Sequence, residues 1–188
     1  MNSLDHPSFP NPSTLSNRSI ALRFGAIWGA STIFFSLVAF LTDTDPSMPD
    51  TGGIKWLYAI VGFGISIWAV VAAIGADRQQ LGGLITLGRC VGLGALVGTI
   101  AGVIGAAYTL LYVFVINPDF QENMNVAMQA EWEKQGMDEQ QIEMAASMAS
   151  MFTNPIVMII SQVLGGIISG VLIGLIAGAF MKREQPNA

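Results

Sequence analysis

Four long runs of apolar residues constrain this sequence most strongly, because none of them contains an Asp, Glu, Lys, Arg or His. The runs occupy residues 24–41, 56–76, 91–116 and 155–181. A helix rises about 1.5 Å per residue, so about 20 apolar residues cross the roughly 30 Å hydrocarbon core of a bilayer. Only 11% of the residues are charged, whereas a soluble domain has about 25%. The sequence therefore predicts an all-α membrane protein with four transmembrane helices.

The basic residues predict the orientation of these helices, because short cytoplasmic loops carry an excess of Lys and Arg. Six of the eight basic residues fall on one predicted side: Arg18, Arg23, Arg78, Arg89, Lys182 and Arg183. The opposite side has two basic and ten acidic residues, a formal charge of −8. We therefore expect an inner-membrane protein with both termini in the cytoplasm and an acidic outer face.

The polar segments divide the chain into one membrane domain and two tails. Residues 1–19 are polar and rich in Pro and Ser, which predicts a disordered cytoplasmic tail. Residues 20–183 form the predicted four-helix domain, and residues 184–188 a cytoplasmic C-terminal tail. Residues 76–90, too short to cross the membrane again and broken by two consecutive glycines, predict a turn and a short interfacial helix.

Residues 117–153, between the third and fourth runs, are predicted to form a helical hairpin outside the membrane. Asn117 can cap the first hairpin helix, and Gly136 supplies a left-handed residue at its end. Asp138, followed three residues later by Gln141, has the spacing of a capping box for the second helix. The hairpin therefore has a local signal at each helix boundary.

Each hairpin helix carries a partial apolar stripe at helical spacing. The stripes comprise Phe120, Met124, Ala127 and Met128 on the first helix, and Ile142, Ala145, Ala149 and Phe152 on the second. The two stripes can pack together or lie on lipid headgroups. Asn154 followed by Pro155 repeats the cap-then-proline pattern and is expected to start the fourth transmembrane helix.

Met144, Met148 and Met151 share one face of the second hairpin helix, since they are spaced by four and three residues. Thioether sulfur favours Cu(I), so this face is a candidate metal site. Methionine is also a flexible apolar residue that fills gaps between helices. Because no His or Cys joins the three, we expect them to serve in packing and expect no metal cofactor.

Glycines spaced by four residues recur along the third and fourth runs. Four residues return to nearly the same helix face, so each row is a groove in which another backbone can approach closely. We expect a glycine zipper that packs helices within one four-helix unit; the alternatives are a homo-oligomer interface and a pore. The rows consist of Gly94, Gly98 and Gly102 in the third run, and Gly166, Gly170, Gly174 and Gly178 in the fourth.

The sequence offers no set of side chains suited to catalysis. A hydrolytic triad lacks its histidine, because the single histidine, His6, lies in the polar tail. Metal-ligand spacing of the Cys/His kind does not occur, and Cys90 is the single cysteine. Basic nucleic-acid patches and phosphate loops are also missing from the sequence. We therefore expect a protein that is not an enzyme and that binds no cofactor and no nucleic acid. Its expected partner is the lipid bilayer that surrounds its helices.

Four short motifs together resemble a known family. They are GGLITLG after the second run, INPDF at the end of the third, QGMDEQQIE in the hairpin and FTNP before the fourth. In this order and spacing they resemble the bacterial membrane proteins of the domain-of-unknown-function 4199 family, over roughly Ile20 to Arg183. The resemblance implies a small four-helix integral membrane protein of bacteria with an extramembrane helical insert. It implies no active-site residue.

The sequence supports one leading functional hypothesis and two alternatives. The hairpin is the only elaborated segment outside the membrane, so we expect a non-enzymatic structural or partner-binding component that acts through its acidic outer hairpin. The first alternative is a small oligomeric transporter or channel that uses polar groups of the third and fourth runs, such as Gln162. The second is Cu(I) handling by the three methionines.

Overall fold

The computed structural model describes residues 16–42, residue 44 and residues 53–182. Within these ranges the chain forms six α-helices and no strand. The helices are α1 (Arg18–Leu41), α2 (Ile54–Gln80), α3 (Leu87–Leu111), α4 (Phe120–Lys134), α5 (Glu139–Thr153) and α6 (Pro155–Met181), and α3 continues into a π-helical turn at Tyr112–Ile116. The predicted C-terminal tail and residues 1–15 of the predicted N-terminal tail lie outside the described residues. Residues 18 and 19, which were predicted to belong to that tail, instead form the first residues of α1.

Four of the helices are long and apolar enough to cross a membrane: α1, α2, α6 and α3 together with its π-helical turn. Each contains one of the four apolar runs, and the hairpin of α4 and α5 lies between the third and the fourth. The predicted fold class, an all-α membrane protein with four transmembrane helices and a hairpin insert, is therefore confirmed.

The connection between α2 and α3 differs from the prediction. The expected short interfacial helix in residues 76–90 is wrong, because α2 runs on to Gln80 and α3 already begins at Leu87. Gly82 and Gly83, with φ of 67° and 93°, form the turn between them. Such left-handed φ values suit glycine, because a side chain would clash with the backbone there. The Thr86 hydroxyl accepts a hydrogen bond from the Arg89 N–H and caps α3. Residues 76–90 therefore consist of the end of one helix, a turn and the start of the next.

Helix α3 is the central helix of the bundle: it packs against α1, α2 and most extensively against α6. The main buried core surrounds its first half and contains Val70 and Ile74 of α2 and Leu93 and Val97 of α3. Every residue from 54 to 65 of α2, at the opposite end of the bundle, is half-buried or exposed. The tight core is therefore concentrated at the end that the basic residues predict to be cytoplasmic.

A second, smaller buried cluster lies at the other end of the bundle, below the hairpin. It joins Tyr112 and Val113 of the π-helical turn to Phe120 of α4, with Met124 and Met158 packed against it. Burial of these apolar side chains links the third membrane helix to the hairpin and to the start of α6.

The caps of the hairpin follow the sequence signals at all but the first helix start. Gly136 has φ of 77° at the end of α4. Asp138 and Gln141 form the reciprocal capping box: the Gln141 N–H donates to Asp138 Oδ1 over 2.8 Å and the Asp138 N–H to Gln141 Oε1 over 3.0 Å. Asn154 caps α6 by accepting a hydrogen bond from the Ile156 N–H over 2.9 Å.

The predicted cap at Asn117 is wrong, because α4 begins three residues later. The residue before α4 is Asp119, and its side chain makes no cap hydrogen bond. The Asn117 N–H is used to close the π-helical turn by donating to the Tyr112 carbonyl over 2.7 Å. The wider turn extends the third membrane helix and moves the start of the hairpin to Phe120.

Candidate functional site

The hairpin of α4 and α5 is attached to the bundle at its base. Phe120 is buried, and its ring lies edge-on to that of Tyr112 with the centroids 5.5 Å apart. Beside it, the Gln121 side-chain N–H donates to the carbonyl of Thr153 over 2.8 Å and joins the start of α4 to the end of α5. These two contacts hold both ends of the hairpin close to the membrane helices.

Most residues of the two predicted stripes are at least partly buried. Of the eight stripe residues, Phe120 is buried and six are half-buried, whereas Phe152 is 72% exposed. A cleft of about 240 Å³ remains between the helices, lined by Asn125, Met128, Gln129, Trp132, Ala146 and Ser150. The hairpin helices therefore pack through one apolar side each and leave their other sides free.

The free sides of the hairpin are strongly acidic. Residues 117–154 contain seven acidic residues and one basic residue, a formal charge of −6. The exposed carboxylates are Asp119, Glu122, Glu133, Asp138, Glu139 and Glu143. The seventh, Glu131, is half-buried, and its Oε2 lies 4.0 Å from the Lys134 Nζ. A surface ion pair of this length contributes little, so the hairpin presents a nearly uncompensated negative surface.

The three candidate Cu(I) ligands form one exposed face of α5. Met144, Met148 and Met151 are 67%, 62% and 69% exposed. Their thioethers are therefore not part of the packing between α4 and α5, although the sequence predicted a packing role. Ile142, Ala145 and Ala149 of the predicted stripe are half-buried instead.

Two of the polar groups on which a transport function would depend are paired with each other between α3 and α6. Gln162 of α6 donates to the hydroxyl of buried Thr109 on α3 over 2.5 Å. Its other amide atom, Oε1, lies 2.5 Å from the position of a Cβ at Gly105, so a side chain there would displace the glutamine. The buried Tyr108 hydroxyl makes no hydrogen bond to the part of the chain that the structure describes.

The two glycine rows face each other within a single chain. A Cβ at Gly98 would collide with the carbonyl oxygen of Gly166, and one at Gly170 with the carbonyl oxygen of Gly94. The contact continues at the ends of the rows, where a Cβ at Gly102 would lie 2.9 Å from the Gln162 carbonyl oxygen. The backbones of α3 and α6 thus touch along the rows, which leaves no lumen between these two helices.

The last two glycines of the α6 row face the first turn of α3. A Cβ at Gly174 would lie 2.8 Å from the Cys90 carbonyl oxygen, and one at Gly178 would lie 2.8 Å from the Cys90 Cβ. Both distances are shorter than an ordinary van der Waals contact. The close approach of α3 and α6 therefore extends to the end of the bundle that contains Cys90.

An ion pair that the sequence analysis missed joins α2 to α3. The carboxylate of Asp77 is fully buried, and its two oxygens lie 2.6 Å from the Arg89 Nε and 2.9 Å from a terminal guanidinium nitrogen. Such a two-pronged pair is the stronger form of carboxylate–guanidinium contact. Opposite charges twelve residues apart, on either side of a two-glycine turn, were the available sequence signal. Both residues lay outside the predicted spans, so this signal was not used.

Comparison with curated proteins and with solved structures finds no match. A family model described as "Protein of unknown function (DUF4199)" matches residues 23–183, a range that includes all four membrane helices and the hairpin. The chain therefore belongs to this family of unknown function, as the order and spacing of its four motifs predicted.

Proposed function

We propose that this protein is a non-enzymatic component of the bacterial inner membrane that binds a basic protein partner through the acidic surface of its outer hairpin. The observation that carries the proposal is the formal charge of −6 on a hairpin whose carboxylates, with one exception, are exposed. Negative potential of this kind attracts a positively charged partner and accelerates its approach. The distribution of basic residues supports an orientation with both termini in the cytoplasm and the hairpin outside.

The construction of the hairpin also favours a binding role. The capping box at Asp138 and Gln141 stabilises the start of α5, and the contacts of Phe120 and Gln121 hold the base. A surface that is ordered before binding loses less conformational entropy when a partner docks.

Photo-crosslinking in the native membrane tests this function. The photoreactive residue p-benzoylphenylalanine replaces exposed Gln129 on α4, and the control replaces exposed Leu172 on α6, which faces outward from the bundle. We expect a discrete protein adduct from position 129 and lipid adducts from position 172. A variant with four neutralised side chains should lose the protein adduct at an unchanged membrane level: Glu122→Gln, Glu133→Gln, Glu139→Gln and Glu143→Gln. The proposal fails if position 129 gives no protein adduct, or if the neutralised variant retains it.

The two alternative functions have less support. The Gln162–Thr109 hydrogen bond and the contact between glycine rows use the polar and small residues on which transport through α3 and α6 would depend. Solute flux in liposomes that changes with Gln162→Leu would nevertheless favour a transporter. Cu(I) binding that is lost when all three exposed methionines of α5 are replaced by Leu would favour metal handling.

A further inference from the structure

One apolar side of α5 is left exposed when the hairpin packs. It is formed by Met144, Met148, Met151 and Phe152, which are 62–72% exposed, and is called the methionine face here. We infer that the methionine face lies in the outer lipid interface, between headgroups and acyl chains, so that α5 is an interfacial helix and the bilayer is the partner of this face. This inference is independent of the proposed protein partner.

The residues around α5 are sorted as an interfacial helix requires. Successive residues of a helix are rotated by about 100°, so Met144, Met148 and Met151 fall within a narrow sector. The half-buried residues of α5, among them Ala146 on the cleft toward α4, occupy a second sector. Glu139 and Glu143 are exposed in a third sector, about 80° or more around the helix from the nearest methionine. An interfacial helix immerses its apolar sector to the level of the acyl chains and keeps charged side chains in water.

The chain connection places the end of α5 directly before the exposed apolar surface of α6. Only Asn154 separates the end of α5 from the start of α6. Ile156, in the first turn of α6, is 67% exposed, and Ile160 and Leu164 continue the exposed apolar column along the helix. Phe152 therefore lies within about one helical turn of the point at which α6 enters the membrane, and the same lipid can cover both surfaces.

The exposed side of α4 differs from the methionine face of α5. Its outward side contains exposed Glu122 and Glu133, with Val126 as the single large apolar residue that is strongly exposed. That side suits water. Large apolar side chains are thus exposed together on the one hairpin helix that connects directly to a membrane helix. This continuity favours lipid over a second protein as the occupant of the methionine face.

The inference is tested by the accessibility of nitroxide spin labels in the full-length protein, reconstituted in phosphatidylcholine vesicles. Oxygen concentrates in the acyl region, whereas a nickel chelate remains in water. The label is attached to Met148→Cys; Glu143→Cys and Val126→Cys are the matched controls. Native Cys90 is fully buried, and the unsubstituted chain serves as the labelling blank. We expect the oxygen-to-nickel accessibility ratio to exceed one at position 148 and to fall below one at both controls.

Two results would overturn the inference. Greater accessibility to nickel than to oxygen at position 148 would place the methionine face in water. Protection from both reagents would mean that protein, such as a second copy of the chain, covers the face.

Hydroxyl-radical footprinting of the unsubstituted protein in the same vesicles provides a measurement that needs no variant. Met137, in the turn of the hairpin, is half-buried in the protein and serves as the internal reference. Lipid cover predicts slower oxidation of Met148 than of Met137, although Met148 is the more exposed of the two in the protein. Faster oxidation of Met148 would contradict lipid cover.

Discussion

Gly98→Ala should weaken the contact between α3 and α6, because the added methyl group has no space. The new Cβ would collide with the Gly166 carbonyl oxygen, and it would lie 2.7 Å from the attached carbonyl carbon, where contact normally begins near 3.4 Å. These are backbone atoms that cannot rotate away, so the two helices must separate. Overpacking of this kind costs about 3 kcal/mol, the upper part of the usual range. The higher helix propensity of Ala returns about 1 kcal/mol. We expect a net loss of about 2 kcal/mol.

Gly92→Ala is the matched control on the same helix. A Cβ at Gly92 would meet no atom within 4 Å among the residues that the structure describes. This variant should therefore gain up to about 1 kcal/mol from helix propensity alone. The difference between the two variants should be about 3 kcal/mol.

Reversible unfolding in mixed micelles, with increasing fractions of sodium dodecyl sulfate and helicity followed by circular dichroism, measures both free energies. The oligomeric state of each variant is measured in the mild detergent alone. Equal stabilities of Gly98→Ala and Gly92→Ala would refute the close contact between the rows. Dissociation of an oligomer by Gly98→Ala, with the unfolding free energy of the monomer unchanged, would assign the rows to an interface between copies.

Substitutions at three further contacts test the remaining interactions. Asp77→Leu should cost about 3 kcal/mol, because it leaves the Arg89 guanidinium without its buried carboxylate, and the double variant with Arg89→Met should be more stable than either single variant in the same unfolding assay. Gln162→Leu and Thr109→Val should be coupled by about 0.6 kcal/mol in a double-mutant cycle, the average for hydrogen bonds between membrane helices. Asp138→Ala should remove the capping box and destabilise α5 by about 1 kcal/mol, measured as faster amide hydrogen exchange in the first turns of that helix.

For each of these three contacts, a substitution at a neighbouring residue serves as the control. Arg78→Met is the control for the ion pair. It removes a nearby positive charge, together with the hydrogen bond from the Arg78 Nε to the Gly83 carbonyl, but leaves the contact between Asp77 and Arg89 in place. Ser161→Ala changes an exposed polar residue next to Gln162 and should be nearly neutral. Glu139→Gln alters the charge in the first turn of α5 while leaving the capping box intact. Effects of the controls as large as those of the main variants would contradict the proposed contacts.

Local signals explain why the sequence predicted the hairpin well. The capping box at Asp138 and Gln141 and the left-handed Gly136 each depend on a few neighbouring residues, and the structure contains both. Asn117 misled the prediction because the preceding turn widens into a π-helix, whose hydrogen bond uses the Asn117 N–H. That widening accompanies the packing of Tyr112 and Phe120, which no local pattern reveals.

The candidate site was predicted only in part. The acidic charge of the hairpin follows from composition, and the structure exposes nearly all of its carboxylates. The stripe on α5 included Phe152, which helical spacing places beside the other apolar residues, yet the structure leaves this ring 72% exposed. Periodicity assigns residues to a face, but the rotation of α5 against α4 decides where that face ends.

The number of membrane crossings was determined by the sequence alone, because the length of an uncharged run and the cost of placing a charge in lipid are properties of the chain itself. The sequence alone also determined the caps of α5 and α6, because each cap depends on residues that are close together in the chain. Only the tertiary structure decided that Gly98 meets Gly166 and that Asp77 reaches Arg89. Those contacts depend on the depth and rotation of one helix relative to another. Several helices compete for each glycine or apolar face, and the packing of the whole bundle selects among them.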